Sequence, residues 1–345
     1  MAVLRPLNDM KSAIRAVEYY LPETVVTTGD LSIEFPEWPV KKIESKTGIR
    51  ERHIAGAGEC SSDLGVIAAQ KLFESGACTA KQIDYLLFCT QSPDFFLPTT
   101  ACLIQDRLGI PTSAGALDFN LGCSGFIYGL SLAKGLVESG QAQNILLITA
   151  ETYSKFINPR DKSVRTIFGD AAAATLVGSI DREETFIGPF VLGTDGRGGP
   201  NLMVPAGGMR RQKIEPNDLQ DSDGNWRSSG NLYMNGAEVF AFTMREIPVC
   251  INQLLAKTQT GIMDFDLFIF HQANLYMLNH LRQSLEIPAE RFYIALEHCG
   301  NTVSSTIPIA IKQAICDGVL KPGMRVMLVG FGVGYSWGAV MVRWV

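Results

Sequence analysis

The chain has 345 residues, of which 46% are hydrophobic and 19% are charged, so extensive disorder and low-complexity repeats are excluded. At this length we expect two domains, or one large domain with two halves. The formal net charge of -5 disfavours non-specific binding to nucleic acid or anionic lipid, and neither is predicted as a partner.

The apolar runs and the cysteines of the sequence predict a cytoplasmic protein. The apolar runs, such as residues 144–150, are far shorter than the roughly 18 residues that suggest a membrane span. The first residues lack the apolar segment and the small-residue cleavage site of a secretory signal. None of the eight cysteines forms a CxxC pair, so we predict neither disulfides nor a structural metal site.

Short β-rich runs alternate with helical stretches along the chain, which is typical of an α/β fold with a largely buried sheet. Helices and strands are both predicted in each half of the chain. In chain order the predicted elements are helix 61–75, strand 83–89, helix 99–108, strand 116–121, helix 125–139, strands 144–150 and 172–177, helix 236–255, strand 267–271, helices 275–285 and 307–317, and strand 325–330.

The same order of features occurs twice, which predicts a duplicated βαβ-rich half. Residues 83–88 resemble residues 265–270, and each run is followed by a helix-like stretch and a Leu-x-Ile-Pro tag. A strand, a glycine-containing turn, an apolar helix and another strand then follow in both copies. We place the halves at 1–185 and 186–345; coincidence between common α/β patterns is the alternative.

Residues 196–235 depart from this pattern and form an expected insertion in the second half. The segment is rich in glycine, polar and charged residues and has no apolar period. Long loops of this kind are often lids, tunnel walls or flexible insertions. A solvated surface excursion is an equally good interpretation.

Cys123 is the best candidate for a nucleophile. It lies in a turn flanked by Gly122 and Gly125, where a predicted strand passes into a predicted helix. The unpaired N–H groups at the start of a helix would lower the pKa of the thiol and favour the nucleophilic thiolate. A buried cysteine in a tight turn is the alternative.

The second half supplies His271 and Asn301 as partners for this sulfur. His271 ends a buried strand, where ligand crevices form in open α/β sheets, and Asn301 lies in the turn equivalent to that of Cys123. A lone histidine at a strand end is more often structural, but a pseudo-two-fold between the halves would bring the three residues together. The glycine-rich loop predicted at 330–338 lacks a phosphate-binding pattern. Its N–H groups could complete an oxyanion hole, or its glycines could only allow tight packing.

Taken together, the motifs of the sequence resemble those of the ketoacyl-ACP synthase III enzymes of the thiolase superfamily, over essentially the whole chain. The resemblance implies a thiolase-like, five-layered αβαβα fold made of two halves, and a homodimer. The motifs that carry it are TGIRERHIA at 47–55, PTTAC at 98–102, GCSGFIYGL at 122–130, FGDA at 168–171, MNG at 234–236, HQAN at 271–274, GNT at 300–302 and GFGVG at 330–334.

The implied reaction is a decarboxylative Claisen condensation of an acyl-CoA primer with malonyl-ACP, which gives a 3-oxoacyl-ACP for fatty-acid or specialised acyl-chain biosynthesis. Cys123, His271 and Asn301 would be the catalytic residues, and the backbone N–H groups of Cys123 and Val333 would form the oxyanion hole. Substitution of Asn301 is then expected to damage decarboxylation more than acyl loading. The resemblance implies no metal and no cofactor besides the CoA-bound and ACP-bound substrates.

Trp38, Lys162 and Asn274 are the residues that the resemblance assigns to substrate binding. Lys162 stands where relatives have an arginine, and the spacing from Trp38 to the TGIRERHIA motif is longer than expected. Tyr276 and Ala241 replace two basic residues of the surface for the carrier protein. These departures predict a paralogue that uses another acyl primer or acceptor, including another carrier protein.

Two alternatives to condensation remain open from the sequence. An acyltransferase of the same fold could load Cys123 and pass the acyl group to an alcohol or amine, and the mass of the product distinguishes this reaction. A non-catalytic partner subunit of a condensing enzyme is the second alternative. The presence of Cys123, His271 and Asn301 argues against it.

Overall fold

The computed structural model describes residues 10–182, 184–215 and 217–345. Among these residues, no helix is both long and apolar enough to span a bilayer, and the cysteines are free thiols. The α-helices are α1 (Thr28–Glu34), α2 (Val40–Thr47), α3 (Ser61–Glu74), α4 (Thr100–Leu108), α5 (Gly125–Glu138), α6 (Lys162–Arg165), α7 (Gly236–Thr258), α8 (Leu275–Ser284) and α9 (Thr306–Cys316). The strands are β1 (Lys11–Tyr20), β2 (Thr24–Thr27), β3 (Glu51–Ile54), β4 (Tyr85–Cys89), β5 (Gly115–Phe119), β6 (Asn144–Glu151), β7 (Ala171–Ile180), β8 (Ile187–Thr194), β9 (Leu202–Met203), β10 (Leu219–Gln220), β11 (Trp226–Arg227), β12 (Tyr233–Met234), β13 (Leu267–Phe270), β14 (Phe292–Tyr293), β15 (Arg325–Gly332) and β16 (Ser336–Arg343).

Two five-stranded sheets of the described residues share one topology. The first has the order β1-β7-β6-β4-β5, and the second, taken from its opposite edge, has the order β8-β16-β15-β13-β14. In both sheets the first two pairings are antiparallel and the last two are parallel. The predicted thiolase-like, duplicated α/β fold is therefore confirmed.

The helices and sheets are stacked in five layers. Helices α5 and α9 lie between the two sheets, where their apolar side chains form one buried cluster with residues of both. Helix α3 covers the outer face of the first sheet, and α7 and α8 cover the outer face of the second. Because strands β4, β6, β13 and β15 are buried on both faces, their sequences are almost continuously apolar.

The prediction of a glycine-rich loop at 330–338 is wrong, because these residues form an antiparallel pairing of β15 with β16 around a short turn. Gly330 and Gly338 are needed for close packing, whereas Gly334, with φ of 136°, serves the turn. A methyl group at Gly330 would lie 2.9 Å from Ser124 Cα, and one at Gly338 would lie 2.7 Å from a methyl group of Leu192. Glycine therefore lets the hairpin pack directly on the turn that carries Cys123.

The segment at 196–235 forms short strands that lie against the first half of the chain. Leu202 and Leu232 are buried in the apolar cluster that also contains Cys123. Arg227 is paired with Asp161, which is fully buried, and with Asp221 at 2.6 Å. The segment thus contributes a wall beside Cys123. We propose the boundary between the halves at 185/186, between the end of β7 and the start of β8.

Candidate active site

Cys123 lies in the turn between β5 and α5, one residue before the helix cap Ser124. Its side chain is 5% exposed. Gly332 lies close to this side chain, because a methyl group there would lie 2.7 Å from Cys123 Cβ and 3.0 Å from Cys123 Sγ. The absence of a side chain at Gly332 therefore allows the strand β15 to approach Cys123 directly.

The thiol of Cys123 is not activated in the free site, which corrects the expectation that the helix terminus would lower its pKa. Burial, and next the charge of Glu151, raise the pKa of Cys123 to about 12. A helix N-terminus stabilises an anion by at most about 2 kcal/mol, which is less than the effect of this burial. The resting sulfur is therefore a neutral thiol.

Glu151 is a buried carboxyl group that the sequence interpretation missed. It ends strand β6 and accepts hydrogen bonds from Gln91 N at 3.1 Å, Ser92 Oγ at 3.0 Å and Ser304 Oγ at 3.1 Å. Burial raises the pKa of Glu151 to about 8 despite these donors. A charged residue at the carboxyl end of an otherwise apolar strand was the signal that could have found it.

His271 directly follows β13 and is 2% exposed. Its backbone N–H donates to Val329 O at 2.7 Å, which ties it to the neighbouring strand β15. The ring meets Phe331 edge-on, and its Nδ1 lies 2.7 Å from Thr306 Oγ1. Burial lowers the pKa of His271 to about 3, so the imidazole is neutral at physiological pH.

Asn301 is held from both its backbone and its side chain. Its N–H donates to Ile167 O and its carbonyl accepts from Gly169 N, each at 3.0 Å. Asn301 Oδ1 accepts the backbone N–H of Val303 at 2.9 Å. Because a backbone N–H needs an acceptor, this bond fixes the amide orientation and leaves the two Nδ2 hydrogens as donors.

One buried cavity of about 140 Å³ brings the three residues together. Cys123, His271 and Asn301 all line it, and Leu202 and Met234 from the 196–235 segment form part of its wall. Val333 lies in the adjoining turn, where a methyl group at Gly122 would come within 2.9 Å of Val333 Cγ1. The turn predicted to supply the second oxyanion donor is thus packed against the turn of the sulfur.

An outer cavity of about 520 Å³ shares Gly236, Asn274 and other residues with the inner one. Trp38 lines it, with Lys42 and Lys46 at 4.9 and 5.4 Å from the ring centroid. Asn274 caps α8 by accepting Met277 N at 2.8 Å.

Lys162 is paired with Glu37 at 3.0 Å rather than lining this cavity. Trp38 and Asn274 therefore border the outer cavity. Lys162 does not, but its ion-pair partner Glu37 directly precedes Trp38 in the sequence.

Two family models match the chain. The model described as "3-Oxoacyl-[acyl-carrier-protein (ACP)] synthase III" matches residues 117–196, and its C-terminal counterpart matches residues 255–344. These matches include Cys123 in the first region and His271 and Asn301 in the second.

Curated proteins and solved structures are similar over nearly the whole chain. The β-ketoacyl-[acyl-carrier-protein] synthase III of Clostridium perfringens is 38% identical, covering 94% of this chain and 96% of that protein. The enzyme of the same name from Caldanaerobacter subterraneus is 35% identical, with coverages of 94% and 95%. A crystal structure of a 3-oxoacyl-(acyl-carrier-protein) synthase III is 53% identical, with a TM-score of 0.96 and coverages of 97% and 100%.

Proposed function

Because this chain belongs to the 3-oxoacyl-[acyl-carrier-protein] synthase III family of the thiolase superfamily, we propose that it condenses an acyl-CoA primer with malonyl-ACP. It is an acyltransferase, and its product is a 3-oxoacyl-ACP for fatty-acid or related acyl-chain biosynthesis. The observation that carries this proposal is the convergence of Cys123, His271 and Asn301 on one buried cavity. A nucleophile and two neutral hydrogen-bonding groups suit acyl transfer followed by stabilisation of an enolate.

In the first half-reaction, the sulfur of Cys123 attacks the thioester carbonyl of the primer. A carbon–sulfur bond to Cys123 forms and the bond to the CoA sulfur breaks. Cys123 loses its thiol proton, and the released CoA sulfur takes up one proton, so this half-reaction has no net change in protons. The backbone N–H groups of Cys123 and Val333 bind the oxyanion of the tetrahedral intermediate in this proposal. Loss of one such donor costs roughly 3 kcal/mol of transition-state stabilisation in other enzymes.

In the second half-reaction, malonyl-ACP loses CO₂ and leaves an enolate on the remaining thioester. Asn301 Nδ2 and a ring N–H of neutral His271 donate to the enolate oxygen. The carbanion carbon then attacks acyl-Cys123 and releases the sulfur. The malonyl carboxylate leaves as neutral CO₂, so the overall reaction takes up one proton.

Neutrality of His271 favours the second half-reaction. An imidazolium would be expensive in this buried site, whereas a neutral ring can still donate one hydrogen bond to a developing anion. The amide of Asn301 is neutral at all pH values, and its orientation is set before substrate binds. The site can therefore stabilise a negative charge without carrying a fixed positive one.

The proposal includes a cytoplasmic homodimer that needs no metal and no cofactor beyond its CoA and carrier-protein substrates. Among the described residues, no group of three potential metal ligands is gathered.

Strand β5 forms an edge of the first sheet, and Phe95, Phe96 and Leu97 are 60%, 78% and 84% exposed. An apolar loop that is this exposed suits a surface covered by a second copy of the chain.

Incubation with short acyl-CoAs and carboxyl-labelled malonyl-ACP tests the reaction. We expect an acyl-ACP two carbons longer than the primer and an equal amount of labelled CO₂ from the wild type, and no elongated acyl-ACP from Cys123→Ala. Cys102→Ala, which changes an exposed cysteine, is the control and should retain activity. An ester or amide product formed without CO₂ would instead support acyl transfer to an alcohol or amine.

A further inference from the structure

The hydrogen-bond partner of His271 is Thr306, the first residue of α9. The distance from His271 Nδ1 to Thr306 Oγ1 is 2.7 Å, and each residue is 2% exposed. Thr306 Oγ1 is also 3.1 Å from the carbonyl oxygen of Val303. The hydroxyl has one proton, so it can donate to the ring or to this carbonyl, but not to both.

The two distances favour donation to the ring. Hydrogen bonds donated by a hydroxyl are commonly about 2.7–2.8 Å long, and those donated by N–H are about 2.9–3.0 Å. The contact with His271 Nδ1 matches a hydroxyl donor, and the contact with Val303 O lies at the long end for one. Donation to the ring makes Nδ1 the acceptor and places the proton of the neutral ring on Nε2, whereas donation to Val303 O would require Nδ1–H as the donor to Thr306.

A strained turn at Val303 fixes the positions of Thr306 and Asn301 relative to each other. Val303 has φ of 56°, a left-handed conformation that costs a β-branched residue about 1–2 kcal/mol. Its N–H donates to Asn301 Oδ1 and its carbonyl faces Thr306 Oγ1. The turn thereby links the orientation of the Asn301 amide to the position of the hydroxyl beside His271.

We propose that Thr306 is a positioning residue that fixes His271 as the Nε2–H tautomer, so that the ring acts as a hydrogen-bond donor and not as a base. The inference rests on the proposed function, because a donor at Nε2 is what stabilisation of the enolate requires. The opposite tautomer would direct a lone pair towards the enolate oxygen. Acyl loading of Cys123 needs no N–H from this ring and depends less on Thr306.

The matched variants are Thr306→Val, which keeps the branched shape without the hydroxyl, and Thr306→Ser, which keeps the hydroxyl. For Thr306→Val we expect about a tenfold loss in decarboxylation of malonyl-ACP, comparable to one hydrogen bond. Acyl loading should stay within about twofold of the wild-type rate, since it needs no ring N–H. Thr306→Ser should restore decarboxylation. Equal losses in both half-reactions, or no loss in either, would overturn the inference.

The tautomer can also be measured directly in the wild-type protein. Protonated and unprotonated imidazole nitrogens have well-separated ¹⁵N resonances, and the sequence has 4 histidines, which His271→Asn allows to be assigned. We expect a protonated Nε2 and an unprotonated Nδ1 in His271. A proton on Nδ1 would refute the role of Thr306 even if Thr306→Val fails to fold. Failure of wild-type protein to decarboxylate malonyl-ACP would instead refute the proposed function.

Discussion

Cys123 and His271 are both uncharged in the free site, because each is buried and neither has a charged partner that compensates for lost water. In the proposed mechanism, Cys123 must therefore lose its proton as part of acyl loading. A neutral resting thiol is less open to oxidation and to non-specific alkylation than a preformed thiolate. The pH dependence of acyl loading follows from this resting state.

The first prediction concerns that pH dependence. The pKa of the Cys123 thiol is raised to about 12, so at neutral pH the thiolate fraction increases about tenfold per pH unit. The single-turnover rate of acyl loading, measured by intact mass between pH 6 and 8, should increase to the same degree. A rate that does not change over this range would show that a thiolate is already present.

Glu151 should limit this increase above neutral pH. The pKa of Glu151 is raised to about 8, and its ionisation places a negative charge near Cys123, which opposes thiolate formation. In the wild type, the slope of log rate against pH should fall as pH exceeds 8. In Glu151→Gln the slope should stay constant up to pH 9. Identical profiles for the two proteins would contradict the coupling between these groups.

Sequence reasoning located the residues whose position in a repeated pattern is distinctive. Cys123 and Asn301 occupy equivalent glycine turns, and His271 ends a strand of the repeat. Glu151 and Thr306 were missed because their partners are far away in sequence, at Gln91 and His271. The direction of the pKa shift of Cys123 was also missed, because the burial of this side chain depends on packing by both halves of the chain.

At the scale of secondary structure, the 196–235 segment depends on the ion pair of Arg227 with Asp161. Asp161 is fully buried and the Arg227 side chain is 15% exposed. Removing one partner of a buried pair leaves an uncompensated charge and costs about 3–5 kcal/mol. The stability of the cavity wall made by this segment therefore depends on Arg227.

We predict that Arg227→Met loosens the segment selectively. Hydrogen exchange should become faster in 196–235 and remain unchanged in α5, and acyl loading should slow because Leu202 and Met234 line the cavity. Adding Asp161→Asn should recover part of the protection. Arg160→Met, which breaks the more exposed pair with Asp218, is the control, with an expected effect below about 1 kcal/mol. Equal effects of Arg227→Met and Arg160→Met would contradict this assignment.

The strands and helices that the sequence predicted are those with strong local patterns, such as β4, β6 and α5. Strands β8 and β16 were missed because glycines and a proline interrupt their apolar residues. Their pairing with each other and with β15 supplies the hydrogen bonds that local propensity does not favour.

At the scale of the whole molecule, the duplication places the residues of the candidate site between the halves. The turn that carries Cys123 follows β5 in the first sheet, while His271 follows β13 in the second. Ser124 and Ser336 share a buried hydrogen bond of 2.7 Å between the halves. The fold thus brings distant segments together at the carboxyl ends of parallel strands.

The proposed dimer gives a prediction at this scale. Phe96→Glu combined with Leu97→Glu should shift sedimentation from dimer to monomer, because two charges would be buried at the proposed interface. Met209→Glu, at a site 79% exposed, is the control and should leave the dimer intact. A wild-type monomer, or an unchanged dimer in the double variant, would contradict this arrangement.

Intact-mass spectrometry after incubation with acyl-CoAs of different length tests the chemistry of Cys123 most directly. We predict a mass increase of one acyl group in the wild type, located at Cys123 and removed by malonyl-ACP with formation of the elongated product. Cys123→Ala should show no such increase. Absence of acylated wild-type protein with every acyl-CoA, or equal acylation of Cys123→Ala, would contradict the assignment of this sulfur as the nucleophile.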